Sequence, residues 1–100
     1  MKKEELQDYL FRQCKGRERS VSGRQLERTL RTSENELRKQ VNRLRRESIP
    51  IASDRSGYFY AATAGEVYST IQSLKKMRSG LDTAITGLEQ ALDAFPSSGR

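Results

Sequence analysis

The chain has no histidine and no tryptophan, and only one cysteine and two prolines in 100 residues. Each shortage closes a class of explanation. Without histidine there is no side chain that ordinarily changes charge near neutral pH, so the commonest acid–base catalyst and metal ligand is missing. The single thiol, Cys14, permits no internal disulfide and no zinc site of the usual Cys and His kind. It lies on an apolar helix stripe, which reads as a packed, unreactive thiol and not a nucleophile. No apolar run approaches the length that spans a bilayer. The start, MKKEELQDYL, carries two lysines but no apolar stretch after them, unlike a secretion signal, so a cytoplasmic location is the expectation. There is no Gly-rich phosphate loop. Glu4 and Asp8 share a helix face, but Lys3 and Arg12 are spaced to pair with them, as on many solvated helices. These features point away from an enzyme and imply no metal and no cofactor.

Positive charge is what the chain has in excess, and it is unevenly placed. Residues 1–62 carry 15 Lys or Arg against 9 Asp or Glu, a net +6, while residues 63–100 carry four of each. The basic charge belongs to one part, which suggests a polyanion partner for that part alone.

Within it, residues 33–48, SENELRKQVNRLRRES, read as one amphipathic helix. Leu37, Val41 and Leu44 form its apolar stripe at i, i+4 and i+7. At about 100° per residue, Asn35, Lys39, Asn42 and Arg46 project from the opposite side, with Arg38 and Arg45 along one edge and Arg43 along the other. Ser33 with Glu36 forms a capping box at the start. Rows of Asn, Lys and Arg opposite a narrow stripe suit the major groove of double-stranded DNA: Lys and Arg neutralise phosphates, and Arg and Asn pair with guanine and adenine edges. A solvated basic surface helix is the competing reading.

The surrounding pattern gives this helix a setting. Residues 3–15 form a first helix, with Leu6, Leu10 and Cys14 at four-residue spacing and Tyr9 beside them. Residues 20–22, Ser-Val-Ser, are too short to be a strand alone but can add one edge pairing to a small sheet. Ser22 caps a second helix over residues 23–30, with Leu26 and Leu30 inward. Arg31 and Thr32 turn into the basic helix, giving a helix-turn-helix order. Residues 49–52, Ile-Pro-Ile-Ala, read as a strand with Pro50 at its start or edge. Residues 53–57 make a turn, and residues 58–61, Tyr-Phe-Tyr-Ala, a second strand.

This order resembles the winged helix-turn-helix domains of the group that includes the N-terminal domain of the biotin operon repressor and small phage-type regulators. Leu37-Arg38, Val41, Leu44-Arg45, Ile49-Pro50-Ile51 and Gly57-Tyr58-Phe59 carry the resemblance, over roughly residues 4–62. It implies that the third helix enters the major groove, that Asn35, Arg38, Lys39 and Asn42 meet bases or phosphates, and that Arg55 sits on a wing beside the flanking backbone. Three positions differ from the family pattern. Glu27 stands where a small residue is common inside the second helix. Arg31 and Ser48 stand where glycine is common, in the turn and just before the Ile-Pro pair.

Thr63 with Glu66 forms a second capping box, and no proline follows before Pro96. Val67, Ile71, Leu74, Leu81, Ile85, Leu88, Leu92 and Phe95 are spaced alternately by four and three, with Arg78 in the one gap. That is a heptad repeat over about four heptads. Ile71, Arg78, Ile85 and Leu92 take position a; Val67, Leu74, Leu81, Leu88 and Phe95 take position d. Ile at a with Leu at d favours a two-stranded parallel coil. Met77, Ala84 and Ala91 at position g widen the face enough for three or four helices. Gly80 and Gly87 each weaken the helix by about 1 kcal/mol. A bend at Ser79-Gly80, folding the helix back on the first domain, is a second arrangement, and a groove on another protein a third.

The expected architecture is mainly α with a small β-hairpin: a winged helix-turn-helix over residues 1–62, an oligomerisation helix over 63–95 and a disordered tail over 96–100. The expected function is sequence-specific binding of double-stranded DNA by a homodimeric transcriptional regulator, with no membrane role. Ser33, Asn35, Arg38, Lys39, Asn42, Arg43, Arg45, Arg46 and Arg55 are its candidate DNA contacts, and the a and d residues from Val67 to Phe95, Arg78 included, its candidate dimer seam. A phage-type replication or packaging accessory, or a protein-interaction module working through the last helix, are the alternatives.

Overall fold

Helix α1, Lys3–Gln13, forms where the four-residue stripe begins, and it buries Leu6 and Leu10 completely. It stops two residues short of the expected end. The reason is β-pairing: Cys14 O accepts the Tyr60 N–H at 2.8 Å and the Gly16 N–H donates to Tyr60 O at 2.8 Å. Those backbone groups are used by a strand and cannot extend the helix. A 3-10 turn over Arg17–Arg19 follows. Helix α2, Gly23–Thr29, is capped by Ser22, whose hydroxyl accepts the Gln25 N–H at 3.1 Å. Helix α3, Glu34–Arg46, is capped by Ser33, which accepts the Glu36 N–H at 3.1 Å. Only half of the expected box forms there, because the Glu36 carboxylate accepts from Gln40 Nε2 at 2.6 Å instead of turning back. The computed structural model describes residues 1–96, so the expected disordered tail lies, apart from Pro96, outside the described residues.

Both α2 and α3 end in the same way. After α2, the Thr32 N–H donates back to Glu27 O at 2.9 Å, and Arg31 between them has φ 52°. After α3, the Ile49 N–H donates to Leu44 O at 3.0 Å, and Ser48 has φ 68°. These are Schellman endings, whose left-handed residue is most often glycine. They stand at two of the three positions where the sequence differs from the pattern that it resembles. The second ending also explains why the strand begins late. Ile49 closes the helix, Pro50 follows, and strand β1 is Ile51–Asp54.

Strand β2, Gly57–Tyr60, pairs antiparallel with β1, with Ile51 opposite Tyr60 and Asp54 opposite Gly57. Its other edge is held by Val21, which exchanges two backbone hydrogen bonds with Tyr58 at 2.8 and 2.9 Å, the single edge pairing expected of residues 20–22. Gly57 has φ 135°, and a Cβ there would overlap the Val21 carbonyl, so that position is closed to other residues. Alternation along the hairpin serves two clusters. Ile51, Tyr58 and Tyr60 join the main core of Leu6, Leu10, Cys14, Leu26, Leu37, Val41 and Leu44. Ala52 and Phe59 face the other way, with Ala61, and Val67 packs on them.

Helix α4, Ala64–Leu92, is continuous, with no bend at Ser79-Gly80. The helical hairpin with a bend at Ser79-Gly80 is therefore not formed, since the helix runs uninterrupted from Ala64 to Leu92. It ends three residues before the expected Phe95, in a turn over residues 93–95. The chain divides into two compact units, Met1–Thr70 and the residues from 71 on. The first unit takes in the opening turns of α4. Three helices, then a hairpin, then a long helix make a mainly α fold whose first part has the topology of a winged helix-turn-helix. No helix among the described residues is long and apolar enough to cross a membrane.

Candidate nucleic-acid interface

Helix α3 divides its side chains sharply. Leu37, Val41 and Leu44 are buried in the main core, and Gln40 is buried with them. Asn35, Arg38, Lys39, Asn42, Arg43 and Arg46 are exposed on the remaining circumference. Among the described residues, Lys39, Arg43 and Arg46 make no salt bridge. Arg38 pairs with Glu34 at 2.7 Å, but both are about two-thirds exposed, so the pair is cheap to exchange for another anion. Ser33 uses its hydroxyl as the cap, which fixes where α3 begins.

Arg45 has a different place from its neighbours. Its Nε donates to Ile51 O at 2.8 Å and an amino group donates to Ser53 Oγ at 3.1 Å. Burial draws its pKa below the ordinary arginine range, and the guanidinium remains charged. Arg45 ties α3 to β1 and so sets the hairpin against the helix. Sequence spacing placed it at the edge of the basic face; the strand that follows turned it inward.

The hairpin tip is braced in turn. Asp54 Oδ1 accepts from the Ser56 N–H at 2.8 Å and from the Ser56 hydroxyl at 2.5 Å. Asp54 also pairs with Arg17 Nε at 3.1 Å, and Ser20 Oγ lies 2.7 Å from Ser56 Oγ. The hydrogen bonds from Ser56, then Arg17, hold the Asp54 carboxyl below its usual range. These contacts leave Arg55 exposed at the apex, with no salt bridge among the described residues.

Two features escaped the sequence reading. Arg24, Arg28 and Arg31 follow i, i+4, i+7 spacing opposite Leu26 and are all exposed. Arg24 and Arg28 line one shallow open depression with Glu27 and Thr32, directly before the α3 cap. Their spacing was the available signal. Thr70 had none: it is buried, accepts the Ser53 N–H at 3.2 Å and lies 3.2 Å from Glu66 O. It fastens α4 to β1.

The expected dimer seam separates into two parts. Val67 is half-buried against Phe59, Ala52 and Ala61 of its own chain, so it is occupied. Ile71, Leu74, Leu81, Ile85, Leu88 and Leu92 are between 38% and 70% exposed, as is Phe95 beyond the helix. Arg78 lies exposed among them. Cys14 is buried, and burial raises its thiol pKa, which disfavours the reactive thiolate. Compared with protein-family models, curated proteins and solved structures, the chain finds no match in any of the three.

Proposed function

We propose that the protein binds double-stranded DNA as a homodimer and regulates transcription, with α3 in the major groove, the β1–β2 wing along the adjacent backbone and α4 as the dimer seam. One observation carries the DNA part of this reading. The face of α3 opposite the core presents Asn35, Lys39, Asn42, Arg43 and Arg46 to solvent, and among the described residues none of Lys39, Arg43 and Arg46 is in an ion pair. The amides suit base edges and the cations suit phosphates. Arg55 on the wing and Arg24, Arg28 and Arg31 before α3 extend the cationic surface. The exposed stripe of α4 supports the dimer, which would place two α3 helices on an inverted repeat.

The test is selection from a pool of random duplex DNA at near-physiological salt, followed by titrations on the enriched sequence. An enriched inverted repeat is the expected result. Asn42→Ala should cost about 1–3 kcal/mol and relax preference at one base position. Arg43→Ala should weaken binding evenly on all sequences and reduce the salt slope by about one. Both side chains are exposed, so neither change should alter folding stability beyond ~0.5 kcal/mol. A pool that yields no enrichment would remove the sequence-specific reading. The exposed α4 stripe favours one other reading, a module that holds another protein, and that reading predicts no enrichment.

A further inference from the structure

The residues of α4 from 71 on carry two patterns. The first is the exposed apolar stripe of Ile71, Leu74, Leu81, Ile85, Leu88 and Leu92. The second is a reversal of charge along the helix: Lys75, Lys76 and Arg78 come first, and Asp82, Glu89 and Asp93 follow. None of these six makes a salt bridge among the described residues.

The reversal discriminates between the two ways a second copy could lie on the stripe. Flanking the stripe, Lys75, Asp82 and Glu89 take position e, and Met77, Ala84 and Ala91 take position g. In a parallel pair, each e residue faces a g residue of the other helix. Asp82 and Glu89 would then face Met77 and Ala84, Arg78 would meet Arg78, and each cationic stretch would lie along its own copy. In an antiparallel pair, e faces e and g faces g. The cationic half of one helix then lies along the anionic half of the other, and the small g residues meet each other.

Resting on the dimer proposed above, we infer that the second copy docks on α4 antiparallel. The register follows from the free stripe. Val67 is occupied by its own hairpin, so the stripe begins at Ile71. Full coverage sets Leu74 opposite Leu92, Arg78 opposite Leu88 and Leu81 opposite Ile85 of the second copy, each pair occurring twice. Lys75 then faces Glu89, and Arg78 lies beside it. The cost is that Asp82 meets its own copy near the twofold axis, with Arg78 one turn earlier on each helix to offset it. This pairing replaces the parallel one that the Ile and Leu placement alone favours: that preference is a matter of core shape, and it does not weigh the like charges a parallel pair brings together.

The experiment uses the full chain. Lys75→Glu and Glu89→Lys should each weaken dimerisation about tenfold in sedimentation equilibrium, and the double variant should restore it. Leu81→Cys and Ile85→Cys proteins, mixed in a glutathione redox buffer, should give the mixed disulfide, while Leu88→Cys alone should give none with itself; buried Cys14 stays in place. A Leu88→Cys homodisulfide, or charge variants that fail to rescue one another, would overturn the antiparallel pairing and leave the dimer standing. A monomer at all concentrations would overturn the dimer as well.

Discussion

Arg31 and Ser48 hold left-handed turn positions where glycine is the usual residue. Each is the left-handed residue of a Schellman ending, at φ 52° and 68°. The left-handed conformation costs a residue with a Cβ roughly 1–2 kcal/mol. Glycine avoids that cost but loses more freedom on folding, which takes back part of the gain. Arg31→Gly and Ser48→Gly should therefore each stabilise the protein by about 0.5–1 kcal/mol, read as a rise in the urea midpoint at constant m. A fall in the midpoint would show that the side chains make contributions beyond the turn. The sequence named both positions as departures, and the backbone shows what they depart from. Gln40 was less legible. Spacing puts it on the same face as Leu37 and Leu44, and it is buried there with no hydrogen-bond partner for its Oε1 among the described residues. Polarity argued for the surface; the helix period put it inside.

Elements were legible where one chain segment decides them and blurred where two compete. The stripes of α1 and α3 fixed those helices, and Ser22, Ser33 and Thr63 marked three starts by their hydroxyls. The ends moved because other segments claimed the backbone: β2 claimed residues 14 and 16, and the α3 ending claimed Ile49. Inward turns of Arg45 and Val67 were hidden for the same reason, since both answer to the hairpin. The start of α4 is fastened by Glu66, whose carboxylate accepts the Ala62 N–H at 2.7 Å and the Arg17 N–H at 3.1 Å. Those bonds, Ala62 first, hold its pKa below the ordinary glutamate value of about 4.3. A carboxylate depressed by folding stabilises the native state above its ordinary pKa and loses that contribution as pH falls through the folded value. Wild type should thus exceed Glu66→Gln in stability at pH 7, and the gap should close as pH drops below about 4. Denaturant unfolding of both proteins across that range measures it. Asp54 and Glu36, also depressed, are present in both and cancel in the difference. A gap that persists at low pH would mean that the lost contact is steric and not ionic.

At the scale of the whole molecule, the buried clusters and the exposed apolar stripe of α4 are separate sets of residues. Both buried clusters and Thr70 lie within Met1–Thr70, whereas the free stripe lies in the residues from 71 on. A chain cut after Met77 keeps Thr70 inside helix and loses the stripe from Leu81 onward. It should unfold at close to the urea midpoint of the full protein, measured below the dimerisation concentration. Its DNA binding should change in two linked ways. Two tethered units gain about 10²–10⁴-fold in affinity over one, so the fragment should bind the enriched inverted repeat weaker by that order. In the proposed complex each copy would bring its own Lys39, Arg43, Arg46 and Arg55 to the phosphates. Halving the copies should therefore halve the slope of log affinity against log salt, because that slope counts neutralised phosphates. Affinity alone would not separate a lost partner from a damaged site; the slope does. A weakened fragment with half the slope means that two intact units share the site. A fragment with the full slope would mean that one copy makes every contact, and that α4 serves a partner other than its own kind.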